Sequence, residues 1–434
     1  MSKYCALPDT QRAVFHEYVS YAFSPQEGPP EYDPEEDETK GEQLGSRRGL
    51  YPDDVATRPD ENGLERLETD DPPDPLCVCR HYWFETNIRG EGLLTPGLSA
   101  VASPPENRRG GHVRELLRHS LEEYREREAP FSLLWPFRYR FYRQYGWDTT
   151  NRYLRVECEP EDLAFARARR EPDGSEHEFR ALEADDYPAL ESVYERYADR
   201  YDCRIDRDGD WWRYRIFENW TTDPFVYVWE RDGKPAAYLR YVIDGDWGDR
   251  TMTVSELVAV DLEAFRAALA FCHDHDSQVS AVKLRLPVDT PLFDIATDPD
   301  ELEVEYHTGP MARIVDVERA LSVLSYPGGT EETITLAVTD PLVDWNDGTF
   351  ELAVADGNGS CHRLGTAVTS DGTRVDERGD VDAILDIATL SQLAIGARSG
   401  GALERARRLE CDSAGLEGLE RLFPERNIFL DEGF

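Results

Sequence analysis

Gly97 to Trp147 reads GLSAVASPPENRRGGHVRELLRHSLEEYREREAPFSLLWPFRYRFYRQYGW. Gly97 to Ala102 is small and apolar and predicts a strand. Arg108-Arg109-Gly110-Gly111 predicts a turn, after which Val113, Leu116, Leu117 and Leu121 recur at helical spacing. Phe131 to Leu134 is a second apolar strand, and Phe141-Tyr142-Arg143-Gln144-Tyr145-Gly146-Trp147 is an aromatic segment. A strand, a glycine turn and a helix in this order present a helix N-terminus, whose unpaired N–H groups and positive dipole end bind phosphate. Gly110 and Gly111 remove bulk at the point of approach. Arg108 and Arg109 add charge. An ordinary strand-to-helix turn explains the segment equally well when it is taken alone. G-x-x-x-x-G-K-[ST] and G-x-G-x-x-G are both absent, which argues against an ordinary kinase or dinucleotide site.

The surrounding chain reads as three units of mixed α/β (α+β) character. Asp9 to Phe23 has helical spacing. Gln26 to Pro75 is rich in Pro, Gly, Asp and Glu and reads as loop with one short helix near Asp60 to Leu67. Leu76 to Ile88 reads as a strand, with a hairpin near Arg89-Gly90-Glu91-Gly92 leading into Leu93 to Ala102. Tyr153 to Cys158 is expected to close the first unit, residues 1–160. A second unit, 161–310, runs through a helix from Tyr187 to Tyr201 and strands at Phe225 to Glu230, Ala236 to Ile243 and Met252 to Val260. The helix Leu262 to His273 and the strand Val279 to Leu286 follow. This order echoes the first unit as a degenerate repeat. At the corresponding turn stands Asp261-Leu262-Glu263, which puts carboxylates where a phosphate would sit. A third unit, 311–434, opens with the strand Ala312 to Val317 and the helix Glu318 to Leu324. Three strands and helices at Ile384 to Leu393, Ala402 to Leu409 and Ser413 to Leu422 complete it.

The chain has 434 residues, with 88 acidic against 48 basic and a net charge of -40. Its lysines are Lys3, Lys40, Lys234 and Lys283 alone, so arginine carries nearly all the positive charge. A folded, carboxylate-rich, lysine-poor chain fits a high-salt cytoplasm, where self-repulsion is screened within a few Å. An acidic interaction surface for cations is the competing reading. Nucleic acid is not expected as a partner, because phosphate backbones need Lys and Arg clusters. The eight cysteines are scattered in apolar contexts and read as buried, reduced thiols. No basic start followed by an apolar run opens the chain, and no stretch is long and apolar enough to span a membrane. A cytoplasmic protein is the expectation.

Other clusters carry less. Cys272-His273-Asp274-His275 reads as a polar helix end rather than a metal site, so no metal is expected. Asp206 to Asp210 (DRDGD) lacks the distal Glu of a calcium loop and reads as a turn. Trp211, Trp212 and Trp220 read as packing residues of the second unit. No G-x-S-x-G elbow occurs.

The Gly97 to Trp147 stretch resembles the GCN5-related N-acetyltransferases. Their cofactor motif, Arg/Gln-x-x-Gly-x-Gly/Ala, falls on Arg108-Arg109-Gly110-Gly111-His112-Val113, with Val113 in place of the small residue. Gly97 to Ala102 and Phe141 to Trp147 narrow the resemblance to the Eis (enhanced intracellular survival) acetyltransferases of actinobacteria. The three-unit order is similar too: an active acetyltransferase domain, a degenerate second one and a sterol-carrier-like domain. The resemblance covers nearly the whole chain except the Gln26 to Pro75 insert, and the charge marks a haloarchaeal-type member.

The resemblance implies acetyl-CoA as acyl donor and a primary amine, on a small molecule or a lysine, as acceptor. Val101 and Ala102 would hold pantetheine through the backbone, and Arg108, Arg109, Gly110, Gly111 and Val113 would form the pyrophosphate cradle. It implies Tyr142 as general acid to the leaving thiolate. The C-terminal carboxylate, carried on Phe434, would be the base. Both roles are chemically sound, since a phenol is protonated at neutral pH and a carboxylate can take a proton from an ammonium. Plain core packing is the competing reading of Tyr142. A frayed end is that of Phe434, whose neighbours Asp431 and Glu432 favour solvent. Phe137 and Arg138 stand where the Eis pattern has small or acidic residues, and a positive Arg138 facing the pocket would disfavour aminoglycosides. The resemblance further implies a homo-oligomer, a hexamer in that family. The alternative is a non-catalytic protein that binds a lipid or small molecule in its third unit, with Val113 blocking the cradle. A third, weaker reading is an acidic scaffold that sequesters cations.

Overall fold

The computed structural model describes residues 2–34, 41, 44–60, 63–69, 71–167, 177–218, 222–365 and 381–434. The chain divides into two compact units. One comprises residues 1–150, 310–426 and 432–434, the other residues 151–309 and 427–431.

The first unit is built on a seven-stranded sheet. Its strands, in spatial order, are Lys3–Ala6, Ser46–Tyr51, Cys77–Tyr82, Gly97–Ala102, Phe131–Leu134, Met311–Ile314 and Asp148–Thr149. Only the pair Gly97–Ala102 and Phe131–Leu134 runs parallel. Parallel neighbours need a crossover, and the helix His112–Glu126 provides it. That helix lays Leu116, Leu117, Leu121 and Tyr124 against Cys77, Cys79, Leu98, Leu134 and Trp147. On the opposite face the helix Arg12–Phe23 packs Phe15 and Tyr18 against Val78 and Ala102.

Several expectations are corrected here. The acidic stretch 26–75 contributes the strand Ser46–Tyr51, paired with Lys3–Ala6 on one side and Cys77–Tyr82 on the other. Its arginines hid it: Arg48 is buried because its Nε and Nη2 donate to the two Glu123 carboxylate oxygens, at 2.9 and 2.6 Å. The expected helix near Asp60 to Leu67 is instead a hairpin of Thr57–Pro59 and Glu65–Leu67, with residues 61 and 62 outside the described ones. Leu76 to Ile88 is two strands, and the second, Glu85–Ile88, turns back through Arg89 and Gly90 into Glu91–Leu94. Both turn residues have positive φ, as a tight hairpin requires.

Strand partnership brings the largest difference. Arg152–Cys158 does not close the first sheet; it pairs with Ala281–Pro287 and Glu303–Thr308 in the second. Met311–Ile314 takes the place beside Phe131–Leu134 and Asp148–Thr149. Both segments are short and apolar-rich, so nothing local distinguishes their partners.

The first unit also carries a five-stranded sheet in the order Asn358–Gly365, Gly348–Ala355, Glu332–Thr339, Ala383–Asp386 and Leu409–Cys411. The helix expected from Ile384 begins only at Ile387, because Ala383–Asp386 is a strand parallel to Glu332–Thr339. Asp386 ends that strand and caps the helix by accepting from the Thr389 N–H at 2.8 Å. The helix expected over Ala402 to Leu409 is shorter, Gly400–Arg405, and Leu409–Cys411 is a strand.

In the second unit the sheet order is His177–Ala181, Phe225–Arg231, Lys234–Asp244, Thr251–Ala259, Ala281–Pro287, Arg152–Cys158 and Glu303–Thr308. Again a single parallel pair, Thr251–Ala259 with Ala281–Pro287, is joined by a helix, Leu262–His273. Asp261 caps that helix through the Ala264 N–H at 2.9 Å. Arg231 then pairs with Asp261 and Glu263. The helix end is thereby closed with carboxylate. Asp208 likewise caps Trp211, and the ring nitrogens of His273 and His275 meet backbone carbonyls. Trp211 and Trp212 are buried, and Trp220 lies outside the described residues. All eight cysteines are free thiols, seven of them buried. Among the described residues no helix is long and apolar enough to cross a membrane.

Candidate active site

The site grows from one irregularity in the first sheet. The parallel strands pair only at Gly97 with Leu133 and Leu98 with Leu134. Phe131–Leu134 stops there while the other strand runs on to Ala102. Ser99 to Ala102 therefore lack a strand partner on that side, which leaves a notch in the ladder. On the other side the register with Cys77–Tyr82 shifts between Val78 and Arg80. Ala100 sits at the shift with φ 49°, a bulge that turns the strand. Val101 is half-buried against the core beneath the helix His112–Glu126, and Ala102 is buried on the opposite face with Phe15, Tyr18 and Val78.

The chain then passes through a short turn, Pro105–Asn107, to Arg108, Arg109, Gly110 and Gly111. Gly111 is the helix cap in a left-handed conformation, φ 84°, with open space where a Cβ would stand. No side chain caps the helix. The N–H groups of its first turn remain available to an anion. At Gly110 a Cβ would meet the His112 ring at 2.6 Å, so bulk is excluded there as well. Arg108 and Arg109 are exposed, and the Arg108 guanidinium lies 5.1 Å from the centre of the Tyr21 ring. Val113 packs against the core with Leu116 and Leu117. The notch, the uncapped helix and the bare Gly111 together fit the pantetheine and pyrophosphate of a coenzyme A thioester.

Tyr142 lies on the short helix Tyr139–Arg143, directly after the truncated strand. It is buried among Phe137, Phe141 and Trp147, with ring centroids 5.6, 5.1 and 6.3 Å away. Burial, with a smaller push from Cys79, raises the phenol well above its ordinary value. It therefore carries its proton throughout the neutral range. Phe137 and Arg138, just before this helix, are exposed.

The chain terminus reaches the same sheet. The Phe434 ring lies on Gly97, where a Cβ would stand 2.8 Å from two of its carbons. Phe84 and Tyr82 meet the ring edge-on, at 5.1 and 6.1 Å. The Ser99 hydroxyl donates to the terminal oxygen of Phe434 at 2.9 Å, and the Trp135 indole donates to the Glu432 carbonyl at 2.6 Å. Asp431 and Glu432 are buried, contrary to the expectation that they would draw the tail into solvent. In the second unit Asp431 is paired with the buried Arg204, which compensates its charge.

Val101, Ala102 and the residues Arg108 to Val113 thus lie on one strand and its continuation, Phe434 packs against the start of that strand, and Tyr142 lies on the short helix that follows the neighbouring strand. Gly97, Ser99, Trp135, Tyr82 and Phe84 were not foreseen. The glycine opening an apolar strand was the one available sign, since such a glycine often marks a close approach.

Residues 76–150 match the acetyltransferase (GNAT) domain, residues 203–314 match a second acetyltransferase (GNAT) domain, and residues 317–431 match the sterol carrier protein domain. No curated protein matches the sequence. Solved structures resemble the chain along its length. A GCN5-related N-acetyltransferase from Anabaena variabilis is 18% identical with TM-score 0.77, each chain covered fully. A probable N-acyltransferase from Enterococcus faecalis is 21% identical with TM-score 0.78, covering 99% of this chain and 100% of that one. At these identities the likeness is one of fold. Two domains of the chain are thus acetyltransferase domains of the GNAT type, placed ahead of a sterol-carrier domain, and the protein is an acetyltransferase. The same fold is shared over both full lengths with Eis1 from Mycobacterium abscessus, at 21% identity and TM-score 0.71.

Proposed function

We propose that the protein moves the acetyl group of acetyl-CoA directly to a primary amine of a small molecule or a lysine side chain. Tyr142 serves as general acid and the Phe434 carboxylate as base. The observation that carries this reading is the seating of the terminal carboxylate on Ser99, within the strand whose far half opens into the notch.

The carboxylate takes a proton from the incoming ammonium, leaving the nitrogen lone pair free to attack the thioester carbonyl. Backbone N–H groups on the bare side of Ser99 to Ala102 support the developing oxyanion. As the carbon–nitrogen bond forms and the carbon–sulfur bond breaks, Tyr142 gives its proton to the thiolate and recovers one from solvent. The carboxyl releases its first proton to solvent and then takes the second proton lost by nitrogen. A positive Arg138 facing the pocket would favour acceptors of low positive charge over polycationic drugs. Val113 is partly buried against the core beside Leu116 and Leu117, which supports an open cradle over a non-catalytic binding protein.

Tyr142→Phe should lower kcat about 100-fold or more, the range typical of a lost general acid. One alanine appended after Phe434 should do the same, by displacing the carboxylate while adding no bulk elsewhere. Wild-type turnover in both variants, measured with a panel of amines, rejects the assignment.

A further inference from the structure

Tyr142 stands on a helix of five residues. So short a helix has little stability of its own and takes its position from what holds it. The grips come from the sterol-carrier region and the strand leading into it, all within the first unit.

Arg143, next to Tyr142, is held on two sides. Its Nε lies 2.8 Å from Asp148 and its Nη2 lies 2.9 Å from Asp386. Asp148 is almost wholly buried and takes a second guanidinium, Arg408, at 2.5 Å, as well as the Tyr139 hydroxyl at 3.0 Å. Arg408 is fixed in turn by Gln392 at 2.8 Å, and Gln392 donates to the Thr149 carbonyl at 2.8 Å. Beyond the helix, the buried Arg313 donates to the Tyr145 carbonyl and pairs with the fully buried Asp340. Gly146 has φ 95°, and a Cβ there would overlap the Arg313 guanidinium. The Arg313 guanidinium also lies 5.1 Å from the centre of the Trp147 ring. Of the residues that follow Tyr142, Arg143, Tyr145, Gly146 and Trp147 are therefore set against Asp386 or Arg313, while Gln144 bonds back to the Phe141 carbonyl at 3.1 Å.

We propose that the sterol-carrier region acts as a brace for the acid, with Asp386 and Arg408 as positioning residues that hold Tyr142 in line with the departing sulfur. This rests on the assignment of Tyr142 made above. It gives the third domain a task in catalysis that needs no lipid. The buried Asp148 has surrendered its hydration and so fixes a geometry more than it adds stability, while Arg143, Asp386 and Arg408 around it keep 24%, 38% and 25% of their side chains exposed. A displacement of about 1 Å at the acid is enough to slow a proton transfer markedly.

Asp386→Asn isolates the effect. The amide oxygen still caps the helix at Thr389, whereas the amide nitrogen cannot accept from Arg143. We expect kcat to fall about tenfold with KM for acetyl-CoA within about twofold of wild type. In the Tyr142→Phe background the same substitution should change nothing further. Arg408→Met should behave alike. Wild-type kcat in Asp386→Asn, or an equal fall in both backgrounds, overturns the brace. If Tyr142→Phe itself turns over normally, the acid assignment falls and the brace with it. If only Tyr142→Phe is impaired, the brace alone is rejected.

Discussion

Gly97 shows how much a single missing side chain can decide. Any other residue would place a Cβ 2.8 Å from the Phe434 ring and 2.8 Å from the Phe84 ring. Real Cβ contacts are longer, so the terminal ring would have to leave. Gly97→Ala should therefore lower kcat about tenfold or more with little change in KM for acetyl-CoA, because the cradle lies on other residues. An unchanged kcat would mean that the carboxylate does not work from this seat. Tyr142 illustrates the opposite case. Its packing against Phe137, Phe141 and Trp147 is the ordinary packing of a core tyrosine, and that same burial keeps the phenol protonated. Such packing is compatible with the acid role proposed for it.

At the scale of elements, the strand Ser46–Tyr51 and the helix His112–Glu126 are locked by one buried carboxylate. Glu123 accepts from Arg48 twice and from the Tyr4 hydroxyl at 2.8 Å, and lies 3.4 Å from His81 Nδ1. Burial opposes its ionisation, but His81 and Arg48 outweigh burial and hold its carboxyl well below the usual carboxylate range. A carboxyl depressed in the folded state adds stability above its unfolded value of about 4.3, and loses it as pH falls below that. Glu123→Gln should cost about 3 kcal/mol at pH 7, leaving Arg48 buried without its charge partner. The gap between variant and wild type should narrow as pH drops from about 5 toward 3. Urea unfolding at both pH values checks this, and a constant gap would place the charge of Glu123 outside the stabilising interaction. The same carboxylate explains why this strand reads as loop in the sequence. Its two arginines look like surface residues until Glu123, distant in sequence, faces one of them.

For the whole molecule the governing quantity is the net charge of -40. Like charges repel in the compact state, and the repulsion reaches about 10 Å at 0.1 M salt but only about 3 Å at 1 M. Stability should therefore rise with KCl well beyond 0.1 M, with the thermal midpoint increasing by several degrees between about 0.2 and 2 M. Choline chloride at equal ionic strength should reproduce most of the gain if screening is the cause. A midpoint that is flat or falls with salt rejects the high-salt reading. Short-range pairs such as Arg313 with Asp340, buried and out of reach of ions, should hold across that range.

The sequence by itself determined the local order of strand, glycine turn, helix, strand and phenol in residues 97–147. It also determined the carboxylate that closes the matching turn at Asp261. Both are written within a few residues of one another: helix periods, glycine at a left-handed cap, an Asp before a helix. Only the tertiary structure decided which sheet received Met311–Ile314 and which received Arg152–Cys158. It alone brought Phe434 to Gly97 and Ser99, and tied Arg143 to Asp386 and Asp148. The reason is physical. Helix and turn signals arise from a residue's own backbone preferences and its neighbours three or four positions away. A strand's partner, or the partner of a buried charge, is chosen by backbone bonds and desolvation that exist only after distant segments have met.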